Sequence, residues 1–400
     1  MAMERTIYRE MPANNGVMAV ALLLLAFLGG AALSVFYVEH HGHAVTGMNN
    51  QVVWGIPHVF AIFLIVSASG ALNAASIASV FKSAPYKPMA RLSSILAITL
   101  LVGGLAVLVL DLGRPDRLLV AMTTYNFKSI FAWNIFLYTG FMGIVAVYLI
   151  LQMSRVDYKY TRAMGTIAFL WRLALTTGTG SIFGWLVARP GYDAAVMAPL
   201  FIAMSLSLGL AVFILVLVGL MRLSDRKIGP ATLRRLSTLL GIFAAVAMYF
   251  AAVQHLTNLY AAEHAGFERF ILRDGGMITT LFWWGQIVIG GLVPIALVFL
   301  PATANKPATP VIASVLIVLG GLSQLYVIIV GGQSYPMELF PGFTATSEFY
   351  DGAITTYSAS IHEYMLGIGG VALSLFAVGV AAKILRVLPT NLLDANVPDA

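Results

Sequence analysis

The chain has no cysteine and very little charge. Without thiols it cannot hold an iron–sulfur cluster through thiolates, attach a c-type haem covalently, close a disulfide or use a thiol nucleophile. Any such centre in its pathway must belong to a partner. Of its 400 residues 10% are charged and 60% are hydrophobic, against roughly 25% charged in an average soluble domain. A soluble fold of this length needs a polar skin that this composition cannot supply, so the apolar surface must face lipid. The net charge of +6 does not signal nucleic-acid binding, because the basic residues fall in short loops between apolar segments.

Ten apolar runs are long enough to cross a bilayer, which takes roughly 20 helical residues. They lie near 17–38, 53–80, 92–111, 129–153, 163–188, 195–221, 236–259, 277–300, 309–331 and 360–384. The expected fold is an all-α polytopic membrane protein, one integral membrane domain over 1–400. The first run is too long for a signal peptide and no small-residue cleavage site follows it, so it reads as a retained helix. Of the 23 Lys and Arg, 16 lie in the two tails and the even-numbered loops and 6 in the odd-numbered loops. By the positive-inside rule both termini face the cytoplasm, and the opposite loops carry acids, among them Glu263 and Glu268. One connection, of nearly 30 residues between the last two helices, is long enough to be functional or partner-facing. Glycine pairs at 103/104, 290/291 and 320/321 suit close helix packing.

Polar groups at membrane depth are expensive and mark candidate sites. His58 lies about 8 Å below the outer surface at 1.5 Å per residue. His255, with Gln254 and Asn258, ends helix 7; His362 and Glu363 open helix 10; Asp111 closes helix 3. Histidines and carboxylates from four helices thus share one depth, bounded by Trp54, Trp133, Trp185, Tyr260 and Tyr364. Such a layer suits a quinone, whose two ring oxygens need hydrogen-bond and proton partners. The outer-loop histidines His40, His41, His43 and His264 read as structural. In the segment DLGRPDR, at 111–117, Asp111 and Arg114 are spaced to pair across a turn, Gly113 permits the exit and Pro115 stops the helix. Arg172 lies about ten residues inside helix 5, where it needs a carbonyl or a buried amide.

The run LVGGLAVLVLDLGRPDRLLVAMTTYNFKSIFAWNIFLYTGF resembles the helix 3, DLGRP loop and helix 4 signature of NrfD/PsrC-type membrane subunits. The ten-helix layout and the segment YSASIHEYMLGIGG resemble most the DsrP branch of that family, found in DsrMKJOP sulfur-metabolism complexes; HybB-type hydrogenase anchors are more distant. The resemblance implies two four-helix bundles with flanking helices in a bacterial cytoplasmic membrane. It also implies a quinone (menaquinone or ubiquinone) site near the outer face, and a periplasmic ferredoxin-like four-cluster iron–sulfur subunit docked above it. Other membrane and cytochrome subunits complete the expected assembly, without which the protein is not expected to be active. His58, in WGIPHVF, matches the quinone-contacting histidine of some members. The tyrosine or histidine that those members carry in the fourth core helix is replaced by LTTGTGSIFGWL, leaving Thr179 or Ser181 to serve.

Two other functions compete with this one. His58 with His255 or His362 could ligate a b-type haem, making the subunit a cytochrome. A secondary transporter would also have ten helices, but its polar groups would sit at the midplane rather than in the outer third. Purification followed by quinone extraction and a reduced-minus-oxidised spectrum separates the first two: bound quinone without a haem band is the expected outcome.

Overall fold

The computed structural model describes residues 7–154, 158–337 and 352–394. Within them the chain forms ten long helices: α1 (Asn15–His41), α2 (Ile56–Ser79), α3 (Ala84–Leu110), α4 (Ile130–Met153), α5 (Tyr158–Gly184), α6 (Met197–Leu223), α7 (Pro230–Tyr260), α8 (Met277–Phe299), α9 (Thr309–Ser334) and α10 (Ile361–Ile384). Nine are long and apolar enough to span a membrane. The other, α5, has 27 residues, but Arg172 and the run Thr176–Ser181 dilute its hydropathy. Helix ends follow local chemistry. Asn14 accepts from the Val17 amide to cap α1, Pro230 opens α7, and Ser360 and Glu363 form a reciprocal capping box at α10.

Both tails lie at the same end of the molecule. Tyr8–Arg9 pairs antiparallel with Leu388–Pro389, and Ile228 in the α6–α7 loop bridges to Leu392. The Arg226 guanidinium locks this end by donating to the carbonyls of Glu10, Leu388 and Pro389. The opposite end carries the α3–α4 and α9–α10 connections, although most of the latter, including 338–351, lies outside the described residues.

Helix contacts divide the molecule into two four-helix bundles, α2–α5 and α6–α9, joined where α2 and α5 pack on α6 and α2 also meets α9. Helix α10 flanks α2 and α3, and α1 packs on α10. Only 11% of the most apolar stretch of α1 is buried, so it presents Leu22, Leu33 and Phe36 outward, as lipid contact requires. The α2–α6 joint is backbone on backbone: a Cβ at Gly70 would fall 1.6 Å from the Ser205 carbonyl oxygen, and one at Gly209 would fall 2.1 Å from the Gly70 carbonyl carbon. Gly290 of α8 and Gly320 of α9 touch in the same way. These small-residue contacts let helices associate where there is no hydrophobic drive between them.

Arg172 finds partners for one end of its guanidinium, while its buried Nε has none among the described residues. Its guanidinium donates to the Ser69 carbonyl at 3.0 Å and to Asn73 Oδ1 at 2.6 Å, and it stacks over Phe169. No carboxylate neutralises it among the described residues, so it is a fixed buried cation between α2 and α5.

Gly209→Leu should wedge the two bundles apart and cost about 3 kcal/mol or more, the upper range for overpacking. A fall in thermal midpoint and loss of a monodisperse peak in detergent would report it. Gly219→Leu, on the same helix but facing open space, should change neither.

Candidate functional site

The polar layer expected at one depth separates into three places. The first is the end of the α2–α5 bundle opposite the tails. His58, one turn into α2, sits with Nδ1 2.9 Å from Asp111 Oδ2, the residue that ends α3. The Asp111 side chain is 4% exposed and that of His58 21%, so the carboxylate is covered and the imidazole is accessible. The contact is close but lacks in-line hydrogen-bond geometry. Asp111 therefore does not pair with Arg114, as its spacing suggested. The chain turns outward after α3, and Arg114 forms a two-pronged bond to Asp116 at 3.0 and 2.9 Å in solvent. That bond raises the Arg114 pKa and lowers that of Asp116. Gly113 keeps an ordinary negative φ, so the exit does not rest on it; Pro115 instead opens the short 3-10 turn Pro115–Arg117.

Trp54 frames this place. Its ring lies 6.0 Å from that of His58, 6.1 Å from Phe131 of α4, 6.0 Å from Phe183 of α5 and 6.2 Å from Tyr192. Two polar residues of α4 lie deeper. Asn134 bonds the Ile130 and Gly178 carbonyls, but its buried Oδ1 has no partner. One turn on, the Tyr138 hydroxyl meets Thr179 Oγ1 at 3.1 Å. Thr179 is fully buried and bonds the Leu175 carbonyl, so it supports Tyr138 rather than opening toward a ligand. A tyrosine thus reaches this level from α4, where sequence reasoning searched α5. Its position four residues after Asn134, on one face of α4, was the available signal.

Trp54 is itself held by Gln333, at the end of α9. The Gln333 amide accepts from the Val53 and Trp54 N–H groups at 3.0 Å and donates to the Trp54 and Ile329 carbonyls. Arg189 clamps the Gln333 and Gln51 carbonyls, and burial lowers its pKa. Gln333 ties the backbone of its own helix to that of the α1–α2 connection, a role that a lone glutamine in GGQSYP does not announce.

The second place is the head of α10. Glu363 is 2% exposed and fully engaged: it accepts from the Gly47 and Ser360 amides at 2.7 Å and from the Tyr357 hydroxyl at 2.5 Å. Tyr357 in turn accepts from the Ile56 amide that begins α2. Burial and the adjacent carboxylate push the Tyr357 pKa up, keeping it a donor. This is a clasp that places α2 and its His58. His362 points to α1, stacked 4.4 Å from Tyr37, with its buried Nδ1 unpartnered.

The third place is in the other bundle. His255 Nδ1 lies 2.5 Å from Oε1 of Glu268, a residue read from the sequence as an outer-loop acid that is in fact fully buried. Asn258 donates to its other oxygen at 3.3 Å. The loop histidine His264 is buried too, against the Pro190 carbonyl. Among the described residues no group of three His, Cys, Asp or Glu could hold a metal ion.

The polysulphide reductase, NrfD family profile matches residues 44–336, most of the chain and every helix from α2 to α9. The protein belongs to the NrfD family. It is 27% identical over 367 residues to the Hdr-like menaquinol oxidoreductase integral membrane subunit of Archaeoglobus fulgidus, covering 91% of this chain and 92% of that one. A putative dimethyl sulfoxide reductase membrane subunit of Halobacterium salinarum is 29% identical over 417 aligned positions, 95% of this chain and 92% of the relative. The menaquinone reductase integral membrane subunit of Nitratidesulfovibrio vulgaris is 22% identical over 344, or 79% and 81%. The DLGRP segment that carried the resemblance lies inside the matched span, and in this NrfD-family subunit it is the turn that delivers Asp111 to His58.

Gln333→Leu should strand the Val53 and Trp54 amides and the Trp54 carbonyl, at about 1–3 kcal/mol for a buried unsatisfied group. A lowered thermal midpoint is expected together with a change in Trp54 emission, read in a background where the other five tryptophans are phenylalanine.

Proposed function

We propose that the protein is the quinone-reactive membrane subunit of an oxidoreductase complex. In this reading it exchanges electrons between a membrane quinone and an iron–sulfur partner docked on the end opposite the tails. The observation that carries the reading is the His58–Asp111 pair, with a covered carboxylate, an accessible imidazole and Trp54 beside it. Two of the relatives are named for menaquinol or menaquinone, which favours menaquinone over ubiquinone.

The residues fit a flat ring with two oxygens. Trp54 and Phe131 offer aromatic faces, His58 a proton-exchanging nitrogen, and Asn134 an orphaned acceptor one layer deeper. A bound quinone would supply the two-electron, two-proton chemistry. With Asp111 next to Nδ1, the opposite nitrogen of His58 is left to take a proton from a hydroxyl or return one to a ring oxygen. Asp111, 2.9 Å from Nδ1, orients the ring for that exchange. Tyr138 and Thr179 stiffen the α4–α5 wall, and the Glu363–Tyr357 clasp fixes the start of α2. His255 and His362, included among the expected quinone ligands, face other partners. For the same reason no observation favours a haem held by His58 with either of them.

The short helix Leu118–Thr123 and its flanks give the partner a place to sit. Leu119, Val120 and Phe127 are 71%, 61% and 60% exposed beside Arg114, Arg117 and Lys128. This apolar and basic ledge lies above Asp111 and suits an acidic iron–sulfur protein. The orientation we propose puts that ledge in the periplasm and both tails in the cytoplasm, and the distribution of Lys and Arg supports it. A sulfur-metabolism assembly of the DsrMKJOP type, with further membrane and cytochrome subunits, is the complex we assign, on the strength of YSASIHEYMLGIGG.

His58→Ala and Asp111→Ala should each lower quinol-linked electron flow at least tenfold, about 1.4 kcal/mol or more in the barrier, with the assembled complex recovered at wild-type level. Unchanged turnover in both would remove this site from the pathway.

A further inference from the structure

The second bundle contains a buried acid–base pair that the quinone site does not use. Below it lie two narrow cavities of about 10 and 30 Å³ that share Gln286 of α8 and Gln324 of α9 in their walls. The upper cavity is also lined by His255 and Gln254. The lower one reaches Ser207 of α6 and Ala247 of α7, some thirteen residues from the helix end, near the middle of the span. A cavity needs roughly 10–15 Å³ and two or more polar partners to hold a water. These spaces therefore admit one or two waters each and nothing the size of a quinone.

Three features make this a built path rather than a packing fault. Glu268 is completely buried yet is bonded by His255 and Asn258, while the His255 side chain remains 15% exposed and so touches the outside. Gln254, Gln286 and Gln324 are each more than nine-tenths buried, and Gln286 Oε1 has no protein partner, which leaves a water as its natural donor. The wall helices also depart from α geometry at this level: α8 is a π-helix over Leu281–Leu292 and α9 over Val327–Gly331. Such departures are rare and gather at functional sites. The Gly290–Gly320 contact lies in the wall of the lower cavity.

We propose that the α6–α9 bundle holds a hydrated half-channel that carries protons between the outer water and the middle of the membrane. His255 and Glu268 form its mouth, and the three glutamines with their waters form its conducting string. A proton entering at the exposed edge of His255 passes to the shared His255–Glu268 site. It then moves along water and amide groups, each of which takes one proton as it gives one up, so no net charge is left behind. This path is independent of where the quinone binds.

The absence of native cysteine makes the test clean. A single Ala247→Cys in the full-length subunit, in membranes, should react with silver ion added from the outer side, since only a water-reached thiol ionises. Tyr249→Cys, 63% exposed on the lipid-facing surface, should not react. Gln286→Leu should slow the Ala247→Cys reaction at least tenfold. In vesicles carrying the assembled complex, Gln286→Leu should keep electron flow while the accompanying pH-dye response drops at least fivefold; His58→Ala should lose both. An unreactive Ala247→Cys overturns the hydrated path. Silver access with an unchanged dye response in Gln286→Leu overturns its proton role and leaves structural waters. Electron flow retained in His58→Ala as well as in Gln286→Leu counts against the quinone site alone.

Discussion

A polar atom inside a bilayer cannot turn to bulk water, and nearly every specific feature of this protein follows from that constraint. Arg172 is accommodated because α2 offers a carbonyl and an amide oxygen at its depth. Glu363 is accommodated because two loop amides and a tyrosine surround it. Where the partners are incomplete, at Asn134, Gln286 and the accessible edge of His58, the structure has places that a ligand or water would complete.

In the reading we propose, the two bundles divide the labour on the same principle. The α2–α5 bundle puts one imidazole at its surface and its carboxylate beneath, framed by aromatic rings, an arrangement suited to exchanging a proton with a flat organic molecule. The α6–α9 bundle buries its acid–base pair more deeply and follows it with amides and water-sized spaces, an arrangement suited to moving protons and nothing larger. Helix α6, packed on α2 through Gly70 and Gly209, is the rigid wall between them.

The residues at the end opposite the tails are structural parts of the site. Tyr357 caps the start of α2, and Gln333 fixes Val53 and Trp54 just ahead of it, so the position of His58 is set from residues 275 to 299 positions away in sequence. Within the Thr and Gly run of α5, Thr179 is bonded by Tyr138 from the neighbouring helix, so the two close the wall between α4 and α5.

By itself the sequence determined that the protein lies in a membrane and that it has about ten helices, because hydropathy is a local property. It also marked His58 and Asp111, since an ionisable group at membrane depth is conspicuous wherever it points. Only the tertiary structure decided which of those groups meet. Asp111 turned to His58 and not to Arg114, because the helix exit directs one side chain inward and the other to solvent. Glu268 passed for a loop acid until the fold buried it against His255, and the outer layer of histidines proved to be three separate places. Depth can be read along one helix; azimuth and neighbours are fixed only when the helices pack.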